Sequence, residues 1–462
     1  MKDKVFFVGA GGIGMAALER YCLSRKMKVG GYDLTPTELT RQLIEEGVEI
    51  NYEGSVESIP DAFRNPADTL VVYTPAVNSN LPALKWFEEN GFEIIKRSVF
   101  LGRVTENSRA LCFAGTHGKT TTSAICAHIL NMTPGVGCNA FLGGILKNYN
   151  SNLILSETSP FSVIEADEFD RSFHTLKPYV AIITSCDPDH LDIYKTEENY
   201  REAFSHFTSL IRENGFLLLH KGVKLTPRTK KSVASYTYSS NGEDADFMAQ
   251  NIRFENRTFV FDLKLPDGTV VKDLQLEKPI EINIDNSVAA AGAVWLTGSF
   301  DQDSVRKALS TYQGTDRRFD LRWEEKKSPN RIIIDDYAHH PKEIETSIKT
   351  IRKMFPEREI TVAFQPHLYT RTRDFASDFA KALSLAHKII MVDLYPAREE
   401  PIPGISSETI FNLIENEKKI LIDKEYFIDT VKNSNFDCLV TLGAGNLPNY
   451  IPELIKKLEA EQ

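Results

Sequence analysis

Twice along the chain, a short apolar strand runs into a glycine-rich turn and then into a helix. The first turn is Gly9-Ala10-Gly11-Gly12-Ile13-Gly14, after the apolar run Val5 to Val8, and the second is Gly115 to Thr122, after Ala110 to Ala114. Further strand-length runs alternate with helical stretches as far as Cys438 to Thr441. This alternation predicts βαβ units and parallel sheets, so we expect an α/β fold.

The alternation falls into three blocks, each of which we predict to be doubly wound. The first block ends before Arg109, the second reaches about Leu296, and the third starts near Arg317. Between Asp246 and Leu276, short alternating strands around a Pro-Asp-Gly turn predict an antiparallel extension. The length of 462 residues also favours about three domains.

Composition and charge exclude several classes of protein. The 54 Lys and Arg residues against 64 Asp and Glu residues give a net charge of −10, which disfavours binding to nucleic acid or to anionic lipid. No apolar stretch is long enough for a signal peptide or a membrane span. The six cysteines form no CxxC pair, which favours reduced thiols. We therefore expect a cytoplasmic protein, as a monomer or a homodimer.

The first glycine turn has the GxGxxG spacing of a phosphate-binding loop. Its glycines let backbone amides approach a diphosphate at the positive end of the helix, and Asp33 ends the second strand, where it could accept a ribose hydroxyl. The residues expected to bind this ligand are Gly11, Gly12, Gly14 and Asp33. Two alternatives stay open for the loop itself: an NAD-dependent dehydrogenase and a tight structural turn.

The second glycine turn predicts an ATP site. It is shorter than the standard P-loop, because Phe113 stands where that motif has its first glycine. Lys119 could still reach the β- and γ-phosphates, and the Thr120 hydroxyl could bind Mg²⁺. The residues expected to hold ATP are Gly115, Thr116, His117, Gly118, Lys119, Thr120 and Thr121. A nucleotide-binding regulator that forms no bond is the alternative.

The second glycine turn and several segments further along the chain resemble the corresponding motifs of the Mur ligases, which build the peptide of bacterial peptidoglycan. The segments that carry the resemblance span the whole chain in the expected order: Gly115–Thr122, Glu165-Ala-Asp-Glu-Phe-Asp170, Asp187-Pro-Asp-His-Leu-Asp192, Arg317-Arg-Phe319, Asp335-Asp-Tyr-Ala-His-His-Pro341, Phe364-Gln-Pro-His-Leu-Tyr-Thr-Arg-Thr-Arg-Asp374 and Glu399-Glu-Pro-Ile-Pro403.

The resemblance implies three domains and an ATP-dependent ligation. It implies a Rossmann-like UDP-sugar domain at 1–106, a central P-loop ATPase domain at 107–314 and a Rossmann-like C-terminal domain at 315–462, which closes on the site with the amino acid. The implied substrates are UDP-N-acetylmuramate and L-alanine, with ATP and Mg²⁺, and the bond forms through an acyl phosphate. The segment from Phe364 to Asp374 distinguishes the family members that add alanine from the ligases that recycle a whole tripeptide.

The resemblance also assigns individual residues. It implies that Thr120, Glu165 and His190 hold Mg²⁺, and that Tyr337, His367 and Arg371 form the amino-acid pocket. Residues outside the loop that it places near ATP are Asn286, Arg317 and Asp336. The side chains that it implies take part in catalysis are Lys119, Glu165, His190, His339 and Arg371.

Five positions depart from the pattern of the family. Leu368 stands where the alanine-adding members often have Arg, and Ala338 replaces a frequent Gly. Of the adenine-contacting His-Asn-x-x-Asn, which reads here as Asp285 to Ala289, only Asn286 remains. Ser205 occupies the place of a lysine that is carbamylated in sister ligases, so we expect no carbamate.

Overall fold

The computed structural model describes residues 2–75, 77–256, 258–278, 280–326, 330–397 and 399–460, without the side chains of Leu191 and Asp192. The chain forms two compact units. The first comprises Met1–Lys278 and Ile282–Gln313, and the second comprises Pro279–Glu281 and Gly314–Gln462.

The first sheet of unit one is parallel and has the strand order β3-β2-β1-β4-β5. Because the strand order reverses at β1, a crevice opens at its carboxyl end, where open α/β sheets bind ligands. The glycine loop lies at this point, between β1 and α1. The elements are β1 (Lys4–Val8), α1 (Ile13–Ser24), β2 (Lys28–Tyr32), α2 (Glu38–Glu45), β3 (Glu49–Asn51), β4 (Thr69–Tyr73), α3 (Pro82–Glu89), β5 (Glu93–Lys96) and α4 (Arg97–Glu106).

The second sheet of unit one has ten strands in the order β15-β14-β13-β12-β11-β10-β6-β9-β7-β8. Its elements are β6 (Arg109–Ala114), α5 (Lys119–Met132), β7 (Asn139–Leu146), β8 (Ser151–Ile154), β9 (Phe161–Glu165), β10 (Val180–Ile183), α6 (Leu191–Tyr194), α7 (Glu197–Ser209), β11 (Phe216–His220), β12 (Ala234–Ser239), β13 (Phe247–Glu255), β14 (Thr258–Lys264), β15 (Val270–Gln275), α8 (Ile282–Leu296) and α9 (Gln302–Thr311). Strand β6 pairs in parallel with β9 and β10, so the loops that follow these three strands meet at one edge. The antiparallel extension is confirmed in β13, β14 and β15.

Unit two contains a six-stranded sheet in the order β16-β17-β21-β18-β19-β20. All its pairs are parallel except β16 with β17. The loops after β17, β18 and β19 therefore open at the same edge. The elements are β16 (Asp320–Glu324), β17 (Ile332–Asp336), α10 (Pro341–Met354), β18 (Ile360–Phe364), α11 (Tyr369–Leu383), β19 (Lys388–Val392), α12 (Ser407–Phe411), β20 (Lys419–Ile422), α13 (Phe427–Asn433), β21 (Cys438–Leu442) and α14 (Ile451–Glu459).

The α/β class is confirmed, with helices covering three largely parallel sheets. All six cysteines are buried and unpaired, which agrees with reduced thiols. Within the described part of the chain, none of the helices combines the length and the apolar character that a bilayer span requires.

Candidate active site

The first glycine loop is held in shape by Asp33. The Asp33 carboxylate accepts hydrogen bonds from the backbone N–H of Gly11 at 2.6 Å and of Thr35 at 3.2 Å. A side chain on Gly11 would lie 2.9 Å from Asp33 Oδ2, so only glycine fits there. The acid at the end of β2 thus orders the loop backbone, in the place where the sequence predicts a ribose contact.

Arg97, the first residue of α4, lies directly over this loop. A Cβ on Gly14 would come within 2.8 Å of a guanidinium nitrogen of Arg97, so the guanidinium lies against this glycine. Among the described residues, none forms a hydrogen bond or an ion pair with this guanidinium, and Arg97 is half-buried. A cation beside the N-terminus of α1 favours a ligand with negative charge.

The second loop wraps the start of α5 as an anion-binding turn requires. Gly115 and Gly118 have φ of +144° and +82°, in the region that favours glycine. A side chain on Gly115 would collide with Thr184 Oγ1 at 2.1 Å. The neighbouring Thr116 hydroxyl donates to the Asp187 carbonyl at 2.6 Å, and the His117 N–H donates to Ser185 Oγ at 2.8 Å. Contacts to the loop after β10 therefore fix the turn.

Lys119 is held by a buried carboxylate. Its Nζ lies 2.9 Å from Glu168 Oε1 and 2.8 Å from Oε2, and also donates to the Gly115 carbonyl. Burial lowers the pKa of Lys119, but Glu168, Asp167 and Glu165 raise it by more, so the ammonium stays charged. Burial raises the pKa of Glu168 to about 7, against the opposing effect of Lys119.

Thr120 and Glu165 form a pair of oxygen donors at the start of α5. The Thr120 hydroxyl donates to Glu165 Oε1 at 3.0 Å, and the Gly143 N–H donates to Oε2 at 3.0 Å. Among the described residues, no group of three His, Cys, Asp or Glu side chains could hold a metal alone. Mg²⁺ is usually bound by one or two carboxylates together with phosphates and water, so this pair fits Mg²⁺.

His190 lies close to Glu168. Its Nε2 is 4.0 Å from Glu168 Oε1, and its ring packs edge-on against Phe169 with centroids 5.2 Å apart. The predicted metal ligand His190 and the loop lysine, Lys119, thus both lie close to the Glu168 carboxylate.

Asn286 is buried inside α8. The Thr122 hydroxyl donates to its Oδ1 at 3.0 Å, and its Nδ2 donates to Asn283 Oδ1 at 3.1 Å. The neighbouring Asp285 pairs with His220 at 3.1 Å. Asn286 thus contacts the helix of the second loop, close to Gly118; contact with adenine stays a prediction.

One cavity of about 900 Å³ within unit one runs from the first glycine loop to Glu165, whose carboxylate accepts a hydrogen bond from Thr120. At one end it is lined by Gly9, Gly11, Gly12, Gly14 and Asp33, and at the other by Gly143, Glu165 and Asp167. Arg97 is the only Lys, Arg or His side chain that lines it among the described residues. A ligand bound at the first loop can therefore extend to the carboxylate beside Thr120.

In unit two, Tyr337 lies between two arginines. The guanidinium carbons of Arg317 and Arg318 are 4.8 and 4.9 Å from its ring centroid. Arg317 also donates to the Gly443 carbonyl at 2.7 Å and faces Asp335 at 3.5 Å. Burial raises the pKa of Asp336 to about 6, with Arg318 opposing. The segment before β16 and the end of β17 thus bring a cationic cluster and a carboxyl group together around Tyr337.

The remaining predicted residues of unit two meet at the same edge of its sheet. The rings of His339 and His367 are 6.3 Å apart, and the buried Arg371 lies 3.4 Å from His367 Nδ1. Tyr395, which the sequence did not single out, stacks on His367 at 5.9 Å. The structure therefore brings His339, His367 and Arg371 together as one polar cluster.

Family models match nearly the whole chain. Residues 4–109 match the model described as Mur ligase family, catalytic domain, residues 113–294 match the Mur ligase middle domain, and residues 317–445 match the Mur ligase glutamate ligase domain.

Curated relatives and solved structures agree with these matches. The UDP-N-acetylmuramate–L-alanine ligase of Parabacteroides distasonis is 52% identical over 99% of this chain and 97% of its own length. The structure of a UDP-N-acetylmuramate–alanine ligase from Thermotoga maritima has the same fold, with a TM-score of 0.80, 24% identity and coverage of 99% and 100% of the two chains. A MurF ligase from the same organism in complex with ADP matches at a TM-score of 0.60, with 15% identity and coverage of 95% and 97%.

Proposed function

The chain belongs to the Mur ligase family, and from that premise we propose that it joins L-alanine to the lactyl carboxylate of UDP-N-acetylmuramate, at the expense of ATP, in the synthesis of peptidoglycan precursors. The observation that carries the proposal is the single cavity that links the first glycine loop to Glu165. The reaction requires the carboxylate of the sugar nucleotide and the triphosphate of ATP to lie within bonding distance of each other. This cavity lets a ligand that is bound at the first loop extend to Glu165, beside Thr120 of the second loop.

ATP and Mg²⁺ are assigned to the second loop. The charged Lys119 lies beside the glycine turn, where it can approach the β- and γ-phosphates. In the proposal Asn286, Arg317 and Asp336 also serve ATP, and Thr120, Glu165 and His190 serve the metal. Bound Mg²⁺ would neutralise part of the charge of the phosphates. Holding both reactants in position supplies much of the remaining rate enhancement.

The chemistry proceeds in two transfers. A carboxylate oxygen of the sugar nucleotide attacks the γ-phosphorus, the bond to the bridging oxygen breaks, and ADP leaves from an acyl phosphate. The amine of alanine then attacks the acyl carbon, and the tetrahedral intermediate expels phosphate and loses a proton to give the amide. Lys119 stabilises the charge on the transferring oxygens in the first transfer.

Unit two is assigned to the amino acid. Arg371 would pair with the carboxylate of alanine, next to His367, and Tyr337 would line the same pocket. His339 completes this cluster. We propose domain bounds at 1–106, 107–314 and 315–462, and an enzyme that works in the cytoplasm, where ATP and UDP-sugars are supplied, as a monomer or a homodimer.

Phosphate release tests the proposed function. The protein is supplied with UDP-N-acetylmuramate, ATP and Mg²⁺ and with alanine, glycine, serine or a tripeptide, one at a time. We expect release that depends on the sugar nucleotide and is fastest with alanine. Preference for the tripeptide would instead assign the recycling reaction. Thermal stabilisation by NAD but not by UDP-sugars or ATP would contradict ligation altogether.

A further inference from the structure

Glu399, in the loop after β19, contacts the start of α11. Its carboxylate accepts hydrogen bonds from the backbone N–H of Thr370, at 3.0 Å, and from the Thr370 hydroxyl. Thr370 is the second residue of α11, and Arg371 follows it directly. A side chain 29 positions further along the chain thus binds the helix turn that carries Arg371.

The start of α11 needs this contact, because its own N-cap residue cannot supply it. Leu368 stands at the N-cap position, has no oxygen in its side chain and makes no side-chain cap bond. The first turn of α11 contains no acidic residue. The first N–H groups of a helix lack partners within the helix, and a carboxylate near them is favourable. Glu399 therefore acts as the cap of α11.

The same loop is joined to the segment before α11 by backbone bonds. The Leu368 N–H donates to the Tyr395 carbonyl at 3.0 Å, and the Tyr395 N–H donates to the Pro366 carbonyl at 2.8 Å. Leu368 has φ of +69°, a region that costs a non-glycine residue about 1 kcal/mol or more, so these contacts hold a strained turn. Tyr395 also stacks on His367. The loop and the turn therefore form one unit around His367 and Arg371.

We propose that Glu399 is a positioning residue of the amino-acid site: it caps α11 and so fixes Arg371 and His367 in the geometry that binds the carboxylate of an α-amino acid. The inference rests on the proposed function, since it takes Arg371 as the partner of that carboxylate. It assigns a physical role to Glu399 and explains how the site is ordered around Leu368.

Steady-state kinetics of variants test this role, with kcat and KM measured for all three substrates. Glu399→Ala should raise the KM for alanine about threefold to thirtyfold, the range expected from loss of a helix cap. The KM values for ATP and UDP-N-acetylmuramate should not change. Glu399→Gln keeps one oxygen acceptor and should show a smaller increase. Glu400→Ala, at the exposed neighbouring position, is the matched control and should behave as the wild type.

Thr370→Val removes the hydroxyl donor with little change of shape, and it tests the contact even where Glu399→Ala does not fold. It should raise the KM for alanine, and the effect should be less than additive with that of Glu399→Gln. An unchanged KM for alanine in both Glu399→Gln and Thr370→Val, or equal changes for all three substrates, would overturn the inference. A wild type without alanine-dependent phosphate release would instead overturn the proposed function.

Discussion

Lys119 Nζ lies within 2.9 Å of both carboxylate oxygens of Glu168. Only 14% of the lysine side chain and 2% of the glutamate side chain are exposed, so water screens the pair weakly. Removing one partner of such a pair leaves a buried charge without compensation, whereas the same change on the surface costs little. The pair therefore contributes both to the fold of unit one and to the placement of the ATP-loop lysine.

Glu168→Ala should lower the free energy of unfolding by about 3 kcal/mol, because Lys119 loses its buried partner. Urea-induced unfolding measures this change. The matched control is Glu197→Ala, which breaks the exposed pair of Glu197 with Arg201 and should cost less than about 0.5 kcal/mol. Equal losses in the two variants would show that burial does not strengthen the Lys119 contact.

Lys119→Ala should reduce kcat by about a thousandfold, a size typical for loss of a charge that stabilises a transferring phosphoryl group. Phosphate release at saturating substrate measures the effect, and far-UV circular dichroism checks the fold. Lys231→Ala, at an exposed position in the same unit, should retain full activity. A Lys119 variant with kcat/KM like that of the wild type would remove the ATP assignment of this loop.

Arg97→Met should raise the KM for the UDP-sugar about tenfold to a hundredfold, because hydrogen bonds to charged groups contribute about 1.5–3 kcal/mol. The KM for ATP should stay the same, since Arg97 lies over the first glycine loop. Arg103→Met is the matched control on the same helix, because Arg103 pairs with Glu93 and does not line the cavity. Equal KM values for the UDP-sugar in the two variants would contradict this assignment.

The sequence predicts the buried strands well and the edge strands poorly. Strands such as β1 and β6, which are covered on both faces, contain the continuous apolar runs Val5 to Val8 and Ala110 to Ala114, and their bounds agree with these runs to within one residue. Strands β16 and β20 lie at the edges of their sheet and contain few buried residues, so their sequences carry no such signal. Periodicity reports burial, and an edge strand is only partly buried.

Local motifs locate the glycine loops, but they do not identify partners that arrive through the tertiary fold. Lys119 and Thr120 are recognisable because the strand, turn and helix are contiguous in sequence. Arg97 comes from a distant helix and Tyr395 from a loop, and each looks like an ordinary residue in its own segment. Glu168 lies in a recognised acidic segment, yet only the structure distinguishes it from its neighbours by its burial against Lys119.

Arg371→Ala should raise the KM for alanine about tenfold to a hundredfold while the KM for ATP stays the same, because a charge-assisted hydrogen bond to the amino-acid carboxylate is lost. Substrate titrations of phosphate release measure both constants. Arg373→Ala is the matched control two residues further along α11, since Arg373 is half exposed and pairs with Asp374. A large increase in the KM for alanine with Arg373→Ala and none with Arg371→Ala would move the pocket to another face of the helix.

Asp336 should make unit two less stable as pH rises from about 4 to about 6. Burial raises its pKa from 3.8 to about 6, so between these values the folded state binds more protons than the unfolded state, and the free energy of unfolding falls with pH. One such group gives a slope of at most about 1.4 kcal/mol per pH unit. In a Trp86→Phe, Trp295→Phe background, the fluorescence of Trp323 reports the unfolding of unit two. Asp336→Asn should reduce the slope of the free energy of unfolding against pH. Asp378→Asn, at an exposed carboxylate, is the control and should leave this slope unchanged. The same slope in both variants would assign the pH dependence to other groups.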